Sequence, residues 1–369
     1  MTTLHVVLAP NAFKGTLTAH GAAEAMAAGV RDVDPNAACV RLPLPDGGDG
    51  TVDAFVTHGY GQFTIRARDA LGNWHPASLA LRDGHAVVEI ANTCGLAMLD
   101  TKTRYPLTAS TRGLGDAILA ALDHGAKHIT VGLGGSASTD GGSGVLVALG
   151  ARLLDPAGAV LEPGGSTLGQ VHAIDLSGLD PRLAAVTIDV LSDVTSPLDG
   201  PAGAAHVFAA QKGASPAEIH ALDDGLRHWG RILAAATGVD VGELPGSGAA
   251  GGTGAALAAA LGAPLLSGAE QIADLFGYRD AIRDADLVIT GEGRLDASTL
   301  AGKGCATAIR LARESDTPAI AVCGDITLDP SDMQALGLSA WHTAGPPGDD
   351  PAGVLATAAK MALETWLGP

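Results

Sequence analysis

Aromatic side chains are nearly missing: Phe, Tyr and Trp together make up 3% of the 369 residues, so large rings cannot fill the interior. Hydrophobic content is still 47%, which leaves Ala, Val, Leu and Ile to build a sizeable core. Positive charge is also scarce. Twenty-two bases face 40 acids for a net charge of −18, and no basic run exists to neutralise a polyphosphate backbone, so nucleic-acid binding is excluded. Such an acidic surplus mainly serves solubility. Only four cysteines occur, Cys39, Cys94, Cys305 and Cys323, without Cys-x-x-Cys spacing, so neither a zinc site nor a disulfide framework is signalled. No charged segment followed by an apolar stretch opens the sequence. The uncharged stretch Leu244 to Ala269 is Gly, Ala and Ser with two prolines, too weakly apolar for a membrane span. A cytoplasmic protein that meets no membrane is expected. A Gly-x-x-x-x-Gly-Lys-Ser/Thr loop is absent too, which excludes a P-loop ATPase.

Glycine, in contrast, is abundant, with 51 residues gathered in clusters rather than in a periodic repeat. The most telling cluster follows Leu287-Val288-Ile289, a branched apolar run typical of a strand buried on both faces. There Gly291 and Gly293 alternate with Glu292, Arg294 and Asp296 before a helix expected from about Lys303. The same design recurs. A strand at Leu4 to Ala9 leads into a loop with Lys14, and a strand at Ala38 to Leu44 leads into Asp46-Gly47-Gly48-Asp49-Gly50. Another at His128 to Val131 opens into Gly134-Gly135-Ser136-Ala137-Ser138-Thr139-Asp140-Gly141-Gly142, with a helix expected over Ser143 to Leu153. A strand at Val186 to Leu191 delivers Asp193.

Strands near residues 4, 38, 286, 318 and 339, with helices between them, predict a five-stranded, doubly wound parallel sheet. Between these ends the pattern changes at about Gly61 to antiparallel strands. The expected organisation is therefore a discontinuous α/β domain, residues 1–61 plus 265–369, interrupted by an inserted α/β domain at 62–264. In doubly wound sheets ligands bind at the C-terminal strand edge, so the glycine loops are expected to line an active site in the cleft between the domains. Two matches to the dinucleotide pattern, Gly246-x-Gly248-x-x-Gly251 and Gly132-x-Gly134-x-x-Ala137, lack a strand-helix-strand setting with an acidic ribose ligand.

Carboxylates at strand ends can hold a hydrated divalent cation or accept a hydroxyl proton, and Asp46, Asp49, Asp140, Asp193, Glu292 and Asp296 all sit there. Any one of them alone would read as a helix cap; six recurring at strand ends read as a site. Lys14, Lys212, Arg294 and Lys303 are the candidate partners for phosphate or carboxylate. Backbone amides of the Gly134 to Gly142 loop, with the Ser136, Ser138 and Thr139 hydroxyls, make a candidate anion site at a helix N-terminus.

In order along the chain, these segments resemble the bacterial type I glycerate kinase family. The resemblance rests on Ala9-Pro10-x-x-Phe13-Lys14-Gly15, Asp46-Gly47-Gly48-x-Gly50-Thr51, Ser110 to Gly115, Gly134 to Gly142, Asp193-Val194-Thr195-x-Pro197-Leu198, Gln211-Lys212-Gly213-Ala214, Gly248 to Gly252, and Thr290-Gly291-Glu292-Gly293-x-x-Asp296. It implies phosphorylation of D-glycerate by ATP with Mg²⁺, at position 2, and a flavodoxin-like domain carrying an inserted α/β domain. Asn11 departs from the family's usual Asp, Asp49 and Asp116 from Glu, and Ser196 from Asn. Phosphoryl transfer needs in-line positioning, charge neutralisation and a proton acceptor. Asp193 is the expected base, with Lys14 and Asp46 beside it as catalytic residues. Gly47, Gly48, Gly134, Gly135, Ser136, Asp140, Lys212, Gly251 and Arg294 are expected to bind substrate or nucleotide, and Glu292 and Asp296 the metal. Phosphorylation at position 3, an NAD-dependent oxidoreductase of a small hydroxy acid and a non-catalytic nucleotide-binding module are the alternatives. Oligomeric state, a homodimer included, is left open.

Overall fold

The computed structural model describes residues 3–13, 15–100, 104–296, 299 and 304–368. The chain divides into two compact units, residues 1–46 with 267–369, and residues 47–266. The first boundary falls ahead of the helix Thr51–Thr57 rather than at Gly61, because that helix packs on strands Trp74–Arg82 and His85–Glu89 of the second unit.

In the first unit, strands His5–Leu8, Ala38–Arg41, Leu287–Thr290, Ala319–Cys323 and Ala340–Thr343 form one parallel sheet. Their spatial order is fifth, fourth, third, first, second. This is the flavodoxin order, so the five-stranded doubly wound sheet expected from the sequence is the one formed. All of Leu287–Thr290 is buried, as a strand covered by helices on both faces requires. Helix Ala19–Val33 starts where the Thr18 hydroxyl accepts from the Gly21 amide at 3.0 Å, and it buries Ala22, Ala23, Met26 and Val30 at helical spacing. It crosses helix Pro351–Leu367 so closely that a Cβ on Gly29 would collide with the Ala356 carbonyl. Small residues let backbones meet directly, which is how a chain so poor in aromatics closes its core.

The second unit holds a six-stranded mixed sheet. Leu265–Leu266, Thr187–Leu191, His128–Gly132 and His85–Glu89 are parallel neighbours, extended by antiparallel Trp74–Arg82 and Gly61–Arg68. The core around it is Leu, Ile, Val and Ala with one fully buried Trp229. The helix expected over Ser143 to Leu153 is shorter, Ser143–Ala148. Gly150 turns the chain at φ 113°, and Arg152–Leu154 then pairs as a strand with Val160–Leu161 and Ala173–Asp175. Among the described residues no helix is long and apolar enough to cross a membrane.

Glu89 stands opposite Gly132 and Gly132 opposite Leu191, so three parallel strands of the second unit end together. Their loops leave from one edge.

Candidate active site

The glycine loop after His128–Gly132 is fastened on every side. Leu96 N donates to Gly135 O at 2.8 Å, Ala137 N to Cys94 O at 3.0 Å, and Gly134 N to Gly47 O at 3.0 Å. A Cβ on Gly134 would collide with Gly48, and one on Gly132 would lie 2.8 Å from Gly47 O. Gly47 itself has φ 82°, and its Cβ would lie 2.7 Å from Leu191 O. The segments Gly47-Gly48, Gly132 to Gly135 and the end of strand Thr187–Leu191 are therefore stacked backbone on backbone. Asp46 is half-buried immediately before this stack, and Asp193 is half-buried two residues beyond it.

Asp140 does not face outward. It is wholly buried, and its carboxylate accepts from Thr111 N at 2.8 Å, Thr111 Oγ1 at 2.9 Å, Gly144 N at 3.1 Å and Gly142 N at 3.2 Å. Burial pushes its pKa up while these donors pull it down. The amides that begin helix Ser143–Ala148 thus cap Asp140, and the anion site expected at that N-terminus is occupied from within. The Ser110 to Gly115 segment serves the same carboxylate: Gly144 comes so close that a Cβ there would collide with Ser110 Oγ.

Lys212 is the second buried charge. Its ammonium donates to Ser136 Oγ at 3.0 Å and to the Ser138 carbonyl, and among the described residues it makes no ion pair. Burial lowers its pKa to about 8, opposed by Asp140. In the same unit the buried hydroxyls of Ser138, Thr139, Ser143 and Ser247 have no hydrogen-bond partner among the described residues. Each such orphan costs about 1–3 kcal/mol unless water or ligand supplies a partner.

Gly251 closes the loop from the far side. Within helix Ala249–Leu261 the residues Ala250, Gly251 and Gly252 are left-handed, with φ 51°, 68° and 94°. The break presents Gly251 O to Gly141 N at 2.9 Å, and a Cβ on Gly251 would collide with Ser138 O. Trp229 Nε1 donates to Gly141 O at 2.8 Å. The structure thus gathers Gly47, Gly48, Gly134, Gly135, Ser136, Asp140, Lys212 and Gly251 around one edge of the second unit.

Glu89 was not foreseen. It ends strand His85–Glu89, is fully buried, and accepts from Val52 N at 2.9 Å. Burial, reinforced by Asp49 and Asp53, pushes its carboxyl up to about 8 against the pull of the Val52 amide. The signal available in sequence was one acid inside the apolar run Ala86-Val87-Val88-Glu89-Ile90-Ala91.

A second group belongs to the first unit. Glu292, buried, accepts from Thr299 Oγ1 at 2.7 Å, and Asp296 N donates to the same oxygen at 3.3 Å. Arg294 Nε pairs with Asp325 Oδ2 at 3.2 Å, where a short strand Arg294–Leu295 runs beside Asp325–Ile326. Thr290 Oγ1 donates to Ala9 O at 2.8 Å and Asn11 N to Gly291 O at 2.8 Å, so the first motif of the chain is bonded to this late one. Lys14 and Lys303 lie outside the described residues. Among the described residues no three His, Cys, Asp or Glu side chains are grouped to hold a metal ion. Mg²⁺ keeps several waters and takes one or two carboxylates plus phosphate oxygens, so Glu292 and Asp296 fit such an ion, though not an all-protein cage.

A sequence model of the glycerate kinase family matches residues 6–365. The chain is 41% identical over 340 residues to the glycerate 2-kinase of Escherichia coli (strain K12), covering 91% of this chain and 89% of that protein. It is 40% identical over 346 residues to the glycerate kinase of Bacillus subtilis (strain 168), covering 93% and 91%. A crystal structure from Salmonella typhimurium LT2, named provisionally as a glycerate kinase 2, superposes with a TM-score of 0.81 at 38% identity, covering 98% of this chain and 97% of that one.

Proposed function

Because the chain belongs to the glycerate kinase family, we propose that it transfers the γ-phosphoryl group of ATP to a hydroxyl of D-glycerate, giving 2-phospho-D-glycerate. One observation supports the reading beyond the family: the buried Lys212 ammonium, held by Ser136 and Ser138, makes no direct ion pair among the described residues and feels the Asp140 carboxylate only through space, so it can take a further anion.

The chemistry follows from what phosphoryl transfer demands. The attacking hydroxyl must lose a proton, and Asp193, on the loop after strand Thr187–Leu191, is the acceptor in this reading. Lys212 and the hydroxyls of Ser138, Thr139, Ser143 and Ser247 supply positive charge and donors for anionic oxygens around the Gly134 to Gly142 loop. Asp140 takes no part in the transfer; it fixes the loop through Thr111, Gly142 and Gly144, so that the donors need no reorganisation when charge develops. Lys14 and Arg294 are assigned to anionic oxygens of nucleotide or substrate, and Asp46 to the catalytic loop. Mg²⁺, bound through Glu292 and Asp296 with water and phosphate oxygens, would neutralise charge on the transferred group. An oxidoreductase is disfavoured by local structure: after Gly132 no helix begins until Ser143, and Gly246 to Gly251 leads into a left-handed break.

Phosphorus NMR of the product formed from D-glycerate, ATP and Mg²⁺ tests the proposal. A 2-phosphoglycerate resonance is expected. A 3-phosphoglycerate resonance would keep the kinase and reverse the substrate pose, and neither product from folded, ATP-binding protein would overturn the substrate.

A further inference from the structure

Glu89 has no part in the transfer as assigned, yet it stands against the loop that carries Asp46 and Asp49. It ends its strand directly opposite Gly132, just ahead of the Gly134 to Gly142 loop. The packing there is so close that a Cβ on Gly132 would lie 3.4 Å from that of Glu89, 3.4 Å from Thr51 Oγ1 and 2.8 Å from Gly47 O. The Asp46 to Thr51 loop is anchored at both ends. At its start Gly47 O accepts from Gly134 N at 3.0 Å, and at its close the Glu89 carboxyl accepts from Val52 N at 2.9 Å, with the Gly50 amide also acting on it. Between these anchors Thr51 Oγ1 donates to Gly48 O at 2.7 Å. Of the two anchors only Glu89 can change its charge.

Its surroundings decide which form of the carboxyl fits. The charged groups that act on it, Asp49 and Asp53, are both acids. Charges on the other elements packed against this strand have partners of their own: Arg82 the Tyr60 ring, His75 the Thr93 carbonyl, His128 Asp189, Arg112 Glu162, Asp116 Arg68, and Asp123 Arg182. A protonated carboxyl is compatible with the closed loop. Ionised, it becomes a buried anion facing two acids, a state relieved when the loop lifts and water enters.

We propose that Glu89 is a positioning residue of the kinase: protonated, it clamps the Asp46 to Thr51 loop onto the strand ends, and on losing its proton it releases that loop and stops phosphoryl transfer. The inference rests on the kinase reading and on the place given there to Asp46. It sets an alkaline limit to catalysis.

Lys212, lowered to about 8, titrates in the same range. Saturating substrate puts an anion beside Lys212 and holds its proton, so its titration falls in kcat/KM, whereas that of Glu89 stays in kcat. Phosphorylation is therefore assayed at saturating D-glycerate, ATP and Mg²⁺ across pH for the parent, Glu89→Ala and Glu89→Gln, with fold checked by circular dichroism at each pH. In the parent kcat should fall about tenfold between pH 7 and pH 9, as one group of pKa about 8 requires. Glu89→Ala should lose about tenfold in kcat already at pH 7 with both KM values within about twofold, and Glu89→Gln, which keeps the acceptor and cannot ionise, should restore kcat and flatten the alkaline limb. A merely structural glutamate would move the melting temperature and not this limb. Hydrogen exchange of the segment 46–57, compared between parent and Glu89→Gln at one pH, reads the loop without turnover: the parent should exchange several-fold faster at pH 9 and equally at pH 6. Equal exchange at pH 9, or the same kcat profile in both proteins, would overturn the clamp and leave the kinase standing, and these two readings decide alone if Glu89→Ala does not fold. The exchange difference in folded protein that does not phosphorylate glycerate would keep the clamp and overturn the kinase.

Discussion

Asp193 carries the most consequence for any single side chain. Asp193→Asn removes the proposed proton acceptor while keeping shape, so turnover with glycerate should fall roughly 10²- to 10⁴-fold with the melting temperature preserved. Turnover within a few-fold of the parent would assign the base elsewhere. Strand His85–Glu89 carries a titratable group at each end, Glu89 buried and His85 half-buried, and in both the folded environment favours the neutral form. Glu89 has a folded pKa of about 8 against an ordinary 4.5, so the fold favours its protonated form. The resulting stability is fully present below pH 4.5 and is lost as pH rises through 8. At pH 7 the loss is about 3 kcal/mol, and Glu89→Gln should recover part of it, raising the urea midpoint at pH 8 and converging with the parent near pH 4. His85 is lowered to about 4 by burial and by His128, which stacks on it at 4.2 Å. Here the sign reverses: the neutral ring is favoured, stability is complete above pH 6.5, and it drains away as pH falls toward 4. His85→Gln should flatten that acid limb in thermal melts.

At the scale of elements, the broken helix Ala249–Leu261 repays a paired experiment. Ala250 sits at φ 51°, a left-handed conformation that an L-residue adopts at a cost of about 1–2 kcal/mol, so Ala250→Gly should stabilise the fold by about 1 kcal/mol in urea denaturation. Gly251→Ala adds a Cβ against the Ser138 backbone and should destabilise by several times as much, taking activity with it. The strands of the first sheet were legible in the sequence because branched apolar runs such as Leu287-Val288-Ile289 followed by glycines read as buried strands, whereas the flavodoxin-like arrangement came from the family resemblance. Less legible was what each polar residue does once folded. Asp140 looks like Asp193 in sequence, an acid in a loop beyond a strand, yet one is turned inward to Thr111, from a separate motif, and the other stays half-buried. Such pairings are non-local, and spacing alone does not report them. Glu89 escaped because a lone acid in an apolar strand matches no site pattern, and the expected Ser143 to Leu153 helix failed at Gly150, where a turn into a strand pairing outcompeted helical continuation.

For the whole molecule, chain order and sheet order disagree. His5–Leu8 is flanked by Ala38–Arg41 on one side and Leu287–Thr290 on the other, with all of residues 47–266 between those partners in sequence. The second unit is contiguous and owns its core, so chains stalled with residue 266 clear of the ribosomal exit tunnel and Leu287–Thr290 still inside it should show 47–266 resistant to protease and the N-terminal strands still cleaved. Protection of both at that length would mean that the first unit assembles without its central strand. Translation at roughly 5–20 residues per second leaves an interval on the order of tens of seconds before Leu287–Thr290 emerges. For that interval a hydrophobic strand edge, Val6-Val7-Leu8, stands without its central neighbour, and an open edge is a template for the wrong partner. The arrangement makes the yield of this enzyme a matter of timing: slower elongation lengthens the exposure, and chaperone supply, more than equilibrium stability, sets how many chains survive it.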